Sequence, residues 1–546
     1  MRSVLETDVL IVGSGLAGLR AAIQCRRHKV NTLVVSKSKF GTSGCTAIAE
    51  GNFRVALDKK GKTFDMTRHF NETIEGGRHI CNRALVKRFV KEGPTRVLEL
   101  REFGVPLAID RNGGRTFIVA RQPAGNVLAR KLGEYALTVG VKALSDFTCS
   151  DLLVQENEAC GALFVSNIDG KLISVFSKAI ILATGGFAGL FQMTNAPTMI
   201  LGDGISLAFD AGAAIQDMEF IQFEPMIADC EFKKIPIISA IIAYTKELVP
   251  YGTLFDLNGR PLLEEFGLLK EKIARDILSV AIDRKFHEQP QLKHSVLLDM
   301  TGISLEKCVQ SLTIESQRRS FKKFYSGLLK KRVPLYLAAH YTMGGIRISK
   351  NAQTNVDGLF AAGEVVGGVH GANRLGANAL TETTVFGAIA GDEAVKYVQT
   401  CRIRKPEDGY LTEKEKGVYE FAKKGAIAKS ENPLSIRERI RSLCSTYLSP
   451  VRSGRNLRKA LEELRLIEES FQDLHVEKQA MLWPMIEIKH MLKVSEISLR
   501  AAEERKESRG PHYRMDFPIR DDANWLRNIV ITNRKGRIIL ESCIVG

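Results

Sequence analysis

Two short stretches hold the side chains best able to do chemistry. In Gly363-Glu364 and in His370-Gly-Ala-Asn-Arg-Leu-Gly-Ala-Asn-Ala379, a carboxylate, a histidine and an arginine stand among glycines that let a ligand approach the backbone closely. Upstream, His340-Tyr-Thr-Met-Gly-Gly-Ile346 has the same character. Arg374 offers a planar fork of donors that matches a carboxylate bidentately, and His340 adds a donor from the opposite side. These types point to a redox site that grips a carboxylate. The bland alternative is a glycine-rich packing turn with a structural salt bridge, and the recurrence of two such segments weighs against it.

Such groups need a scaffold. Asp8-Val-Leu-Ile-Val12 predicts a short buried strand, Gly13-Ser14-Gly15-Leu16-Ala17-Gly18 a tight turn, and the Ala/Leu-rich run to about Arg27 a helix. Asn31 to Ser36 supplies a second strand, which completes the βαβ unit in which G-x-G-x-x-G marks dinucleotide binding. A nicotinamide site would place an acid after that strand; here the chain reads Ser36-Lys37, so that pattern is incomplete. Ala179-Ile-Ile-Leu182 is a further apolar strand, ending in Ala183-Thr184-Gly185-Gly186, and Leu201-Gly-Asp203-Gly204 precedes a helix. Val356 to Glu364 is again strand, turn and acid, so the chain returns to the nucleotide domain after an excursion.

The chain has 546 residues, of which 45% are apolar, enough for two or three domains with cores of their own. No apolar run approaches the ~20 residues of a spanning helix, and the first residues lack a signal-peptide pattern, so a cytoplasmic protein without direct membrane insertion is expected. The ten cysteines show no C-x-x-C pair, which suits a reducing compartment and argues against a zinc or iron-sulfur ligand set. The net charge of +16 is spread along the chain without a nucleic-acid motif, so a solvated basic face or a partner-docking face is expected and nucleic acid is not.

These segments together resemble the flavoprotein subunits of succinate dehydrogenase, fumarate reductase and L-aspartate oxidase over nearly the whole chain. The resemblance implies an α/β fold: a discontinuous Rossmann-like FAD-binding domain (1–224 and 344–400), an inserted α+β capping domain (225–343), a C-terminal helical domain (401–505) and a tail (506–546). It implies FAD contacts at Gly13, Ser14, Gly15, Ala17, Gly18, Ser36, Lys37, Cys45, Thr46, Gly51, Ala183, Thr184, Gly185, Asp203, Glu364, Arg374, Asn378, Ala379 and Leu380. Bound FAD would exchange hydride through its N5. Arg374 and His340 would clamp a substrate carboxylate, and Arg275 of Ala274-Arg-Asp-Ile-Leu278 would exchange the proton, with Asp276 able to orient it. An iron-sulfur protein subunit would carry the electrons, placing the chain on the inner membrane face through its partner. The run Arg505 to Trp525 matches the end of the family's helical domain, either as a surface salt-bridge network or as a face near that partner and the active site.

The chain departs from the family where substrate is read. The family's Gln-Phe-His-Pro segment appears as Gln222-Phe-Glu224-Pro225, a carboxylate in place of a carboxylate binder, so a second substrate carboxylate is disfavoured. The family's threonine-glutamate segment falls within Ala243 to Val249, with Thr245 or Glu247 as substitutes. Where respiratory members attach flavin to a histidine, Ser43-Gly-Cys45-Thr46-Ala-Ile-Ala-Glu-Gly51 offers Cys45, so non-covalent FAD is expected, with a cysteinyl linkage as the chemical alternative.

The leading expectation is an FAD-dependent enzyme that interconverts a saturated and an α,β-unsaturated carboxylate. An L-aspartate-oxidase-like activity, with Glu224 against a substrate ammonium, is a second reading. An electron-relay flavin subunit without a carboxylate substrate is a third.

Overall fold

The computed structural model describes residues 3–56, 65–109, 116–120, 123–227, 253–265, 274–288, 296–311, 329–420, 432–474 and 481–546. Its organising element is the strand Ser3–Val12, parallel to Thr32–Val35 on one side and to Leu172–Leu182 on the other. Lys142–Leu144 extends the first edge in parallel, and the hairpin Phe147–Gln155 and Glu158–Ser166 extends the second in antiparallel fashion. The first strand starts earlier than its apolar run predicts, because Ser3 to Thr7 pair with Ile173 to Ser177 beyond the apolar core. That ladder holds even where Val4 and Leu5 stay exposed.

Leu359–Ala361 joins the same sheet by pairing with Ile180 to Leu182, which makes the nucleotide-binding fold discontinuous as the resemblance implies. The following helix, Asn378–Val398, lies against the helix Leu16–Arg27. Gly387 and Gly391 permit this closeness: a Cβ on either would stand 2.7 Å from the backbone oxygen of Ala17 or Ala21.

The excursion builds an antiparallel sheet from Ile221–Ile227, Val333–Thr342, Val296–Asp299 and Thr253–Phe255, with the helix Arg275–Glu288 beside it. This is the α+β cap. The described helices of the cap include Arg275–Glu288 and Leu305–Ser311, and 266–273 and 312–328 lie outside the described residues.

The C-terminal helices Pro433–Tyr447, Gly454–Gln472 and Leu482–Glu504 are amphipathic, and the first two are capped by their own sequence. Asn432 and Ser435 form a reciprocal capping box before Pro433, and Ser453 accepts from the Asn456 amide. A final hairpin, Arg527–Arg534 and Arg537–Ile544, pairs with Ile215–Gln216 and so returns the chain end to the nucleotide-binding part.

The charges at the start of the run from Arg505 are not a surface network, whereas residues 515–520 are exposed and Arg520 pairs with Asp522 at the surface. Arg505, Glu507, Arg509 and His512 are buried, with Arg505 Nε 2.6 Å from Glu219 Oε1 and Arg509 Nε 2.6 Å from Glu507 Oε1. These buried charges are paired, as desolvated ions require. Among the described residues no helix is long and apolar enough to cross a membrane.

Candidate active site

The glycine turn, the cap sheet and the N-terminus of helix Asn378–Val398 enclose one cavity of about 520 Å³. At its nucleotide end Gly13 has φ +109°, and a Cβ there would lie 2.3 Å from the Ala183 oxygen, so only glycine lets the two turns meet. Helix Leu16–Arg27 begins at Gly15 with no side-chain cap and no acid in its first turn. The Leu16 amide donates to Thr46 Oγ1 at 2.9 Å, and the positive end of the helix dipole faces the cavity with no acid of the first turn against it, which suits a pyrophosphate. Thr184 Oγ1 and Asp203 Oδ1 are buried and without a hydrogen-bond partner among the described residues, although both residues line the cavity. The pattern fits a bound dinucleotide whose polar groups would complete these atoms.

Lys37 closes this end. Its Nζ lies 2.5 Å from Asp203 and 2.8 Å from Glu487 of the C-terminal helix Leu482–Glu504, and it donates to the Met199 oxygen. The two carboxylates hold the ammonium above its usual pKa against the opposing effect of burial.

Gly13, Ser14, Gly15, Ala17, Ser36, Lys37, Cys45, Thr46, Gly51, Ala183, Thr184, Gly185, Asp203, Glu364, Arg374, Ala379 and Leu380 all line the cavity. Gly18 and Asn378 do not. A Cβ on Gly18 would fall 1.9 Å from the Gly13 oxygen, so it seats the helix on its turn. Asn378 turns away to His69 Nε2, at 2.9 Å, and Thr73 Oγ1, at 3.0 Å. The residue before it, Ala377, holds φ +64° and presents the uncapped start of its helix to the cavity.

Glu364 is half-buried, accepting at Oε1 from the Thr342 amide at 3.1 Å and hydroxyl at 3.3 Å. Burial raises its pKa. Burial, reinforced by Glu364, pushes the Cys45 thiol well above its ordinary range. Cys45 is thus held as the un-ionised thiol, a poor nucleophile for covalent attachment.

The substrate end is built from four distant segments. Strands Ile221–Ile227 and Val333–Thr342 pair with a register shift: Gln222 opposes Tyr341 and Phe223 opposes Ala339, leaving His340 as the extra residue of a bulge. Such a bulge re-aims its side chain, here toward Arg374. Arg374 Nη2 donates to His340 Nε2 at 2.7 Å, so the imidazole carries its proton on Nδ1, which donates to Asn195 Oδ1 at 3.1 Å. Arg374 stacks over Tyr341 at 4.7 Å, and its Nε is buried without a hydrogen-bond partner among the described residues. Burial, with the nearby Arg275 charge, pushes the Arg374 pKa down to about 10. A carboxylate in the cavity would relieve both effects.

Arg275 opens the cap helix. Its Nη1 lies 2.7 Å from Glu224 Oε1 and 2.8 Å from Gln222 Oε1, and Glu224 Oε2 faces His340 Nδ1 at 3.5 Å. Glu224 is therefore held by a cation rather than set against another anion. Asp276 does not orient Arg275: it takes Arg78 bidentately, Nε to Oδ2 and Nη2 to Oδ1 both at 2.7 Å. Neighbours in a helix point about 100° apart, so consecutive residues do not face each other. Arg78 and Asn195 carried no signal in the sequence, while Gln222 and Tyr341 stood inside recognised motifs without a role. Thr245 and Glu247 lie outside the described residues.

The family described as "FAD binding domain" matches residues 8–380, and "Fumarate reductase flavoprotein C-term" matches 437–543. An uncharacterised FAD-dependent oxidoreductase of Methanocaldococcus jannaschii is 33% identical over 97% of each chain. One component of the CoM/CoB fumarate reductase of Methanothermobacter marburgensis is 31% identical, again over 97% of each. Among solved structures, the E. coli quinol fumarate reductase FrdA matches with a TM-score of 0.86 and 26% identity, covering 100% of this chain and 97% of that one.

Proposed function

Because the chain belongs to the fumarate reductase and succinate dehydrogenase flavoprotein family, FAD-dependent oxidoreductases acting on CH–CH groups, we propose that it interconverts a saturated carboxylate and its α,β-unsaturated partner. The observation that carries this reading is Arg374, a buried guanidinium with an unused Nε donor, in the same cavity as Arg275. Bound FAD supplies hydride exchange with the substrate carbon.

The protein's own residues do the rest. Arg374 grips the carboxylate in two-point fashion, and His340, fixed by Asn195, sets the angle of that fork. Arg275 exchanges a proton through Nη1 at the carbon next to the one that exchanges hydride. Glu224, 2.7 Å from that nitrogen, restores the proton and supplies the relay that a guanidinium needs. Glu224 and Arg374 are buried beneath the cap sheet, so their charges act at short range in a medium of lowered polarity.

FAD is held without a covalent bond, in keeping with the raised Cys45 pKa. The chain works as one member of a complex, passing electrons to or from a separate iron-sulfur protein; among the described residues no cluster of His, Cys, Asp or Glu has metal-binding form. An amino-acid substrate with its ammonium against Glu224 would have to displace Arg275, which weighs against the aspartate-oxidase reading.

Arg275→Ala tests the assignment. Reduced flavin is mixed anaerobically with unsaturated carboxylates and the return of oxidised absorbance is followed. The variant is expected to keep its flavin and to lose roughly 10²–10⁴-fold in rate; an unchanged rate sinks the role.

A further inference from the structure

The helix Leu482–Glu504 belongs to the C-terminal part of the chain, beyond the segments expected to bind FAD, yet two of its side chains reach into the nucleotide-binding part. Glu487 and His490 stand three residues apart, hence on one face, and both are buried. His490 Nε2 donates to the Cys149 oxygen at 3.1 Å, and Nδ1 meets the Ser206 hydroxyl at 2.9 Å. Cys149 lines the cavity, and Ser206 lies in the helix Asp203–Asp210. Glu487 turns one oxygen to Lys37 Nζ at 2.8 Å and the other to Arg437 Nη1 at 3.0 Å. Arg437 Nη2 in turn donates to the Thr198 oxygen at 2.6 Å, one residue before the Met199 oxygen that accepts from Lys37. Glu487, His490 and Arg437 do not themselves line the cavity.

We infer that Glu487 is a positioning residue for the cofactor, acting through Lys37 and Asp203. Lys37 follows the second strand of the βαβ unit, the place where such a fold holds the ribose of its dinucleotide. An ammonium has three donors, and oxygens of Asp203, Glu487 and Met199 stand 2.5, 2.8 and 3.0 Å from this one, so it keeps none for a ligand. Lys37 thus works as a strut. It holds Asp203 by Oδ2 and leaves Oδ1, buried and without a partner among the described residues, as an open acceptor on a residue that lines the cavity. A hydroxyl of the cofactor's adenosine half is the matching donor. Without the Glu487 charge the ammonium loses one of its three anchors, and the acceptor it fixes loses its place. Retention of FAD is therefore set partly from the C-terminal helices, whichever substrate the other end takes.

The test reads release of FAD rather than turnover: holoprotein is diluted and the fluorescence of freed flavin is followed. Glu487→Gln, which keeps size and removes the charge, is expected to release FAD roughly 10-fold faster; a folded variant that retains no flavin is the same result in its extreme form. In a protein that already carries Lys37→Gln, the same replacement is expected to add nothing, because the strut is gone. Release at the rate of the unaltered protein would overturn the inference. So would an equal acceleration with and without Lys37, which a general loosening of the helix would produce. Where either replacement fails to give folded protein, the half-buried Arg437 supplies the test from the other oxygen of Glu487. Arg437→Gln is expected to speed release and Arg437→Lys, which keeps a cation against Glu487, to restore it; equal rates in the two would overturn the inference.

Discussion

The two ends of the cavity satisfy charge in opposite ways. At the nucleotide end Lys37 is closed off by Asp203 and Glu487, and the ligand is met by backbone amides and by turns that only glycine can make. At the substrate end Arg275 is paired with Glu224, and Arg374 keeps a buried donor without a partner among the described residues. The first end is built on one local strand, turn and helix, joined by Ala183, Asp203 and Glu487 from far along the chain, and its lysine is already paired. The second is assembled from four distant segments and stays incomplete until an anion arrives. The cofactor end thus relies on backbone shape, and the substrate end on a side chain left with an open donor.

The largest expected break in this contrast is Gly13→Ala. The added Cβ would stand 2.3 Å from the Ala183 oxygen on a residue at φ +109°. Overpacking and backbone strain together cost about 3 kcal/mol or more, so the variant is expected to purify with little flavin and a lowered Tm. Flavin content equal to that of the unaltered protein would show that shape does not govern this end.

Arg78→Ala should do the reverse. Arg78 and His79 hold φ +56° and +68° in a turn whose Gly77 oxygen accepts from the Ala372 amide and whose Gly76 oxygen accepts from Asn373. Through Asp276 the same turn reaches the first turn of the cap helix, so it ties Arg275 to the segment of Arg374. Asp276 is 1% exposed, and stripping its partner leaves a buried charge. Because Arg78 is itself partly exposed, a loss of about 2 kcal/mol is expected rather than the full cost of a buried pair. The informative readout is a fall in kcat with flavin content retained; equal losses of both would make the turn a general structural element.

The same contrast explains what could be read from the chain. The nucleotide end was legible because a strand, a glycine turn and a helix follow one another within a few residues, and each glycine has a local steric reason. Arg374, His340 and Arg275 were legible as types, and resemblance put them together. Their partners were not. Asp276 follows Arg275 in sequence yet bonds Arg78, because helical geometry separates neighbours and tertiary packing chooses the partner. The bulge that frees His340 depends on a register between two strands far apart in the chain, which no local pattern encodes. Glu224 was seen as an oddity, and its meaning came only from the distance to Arg275.

The last expected effect is a dependence on pH. Glu382, in the helix Asn378–Val398, is 1% exposed, with Oε1 lacking a hydrogen-bond partner among the described residues. Burial, opposed by Thr383 and reinforced by Glu364, pushes its pKa up to about 8. Asp203 and Glu487, buried at the other end, have Lys37. A carboxyl that titrates near 4.3 in the unfolded chain and near 8 in the folded one contributes stability below the lower value, and that contribution is lost as pH rises through about 8. Glu382→Gln mimics the neutral acid and cannot titrate. Across this window the unaltered protein should lose up to about 1.4 kcal/mol per pH unit relative to the variant. Asp217, also raised by burial and by Glu219, titrates in both proteins, so the difference between their Tm–pH curves isolates Glu382. Parallel curves would mean that Glu382 stays ionised and that a cation reaches it after all. A gap that opens toward alkaline pH would mean that the helix Asn378–Val398 tolerates this buried acid only by keeping it protonated.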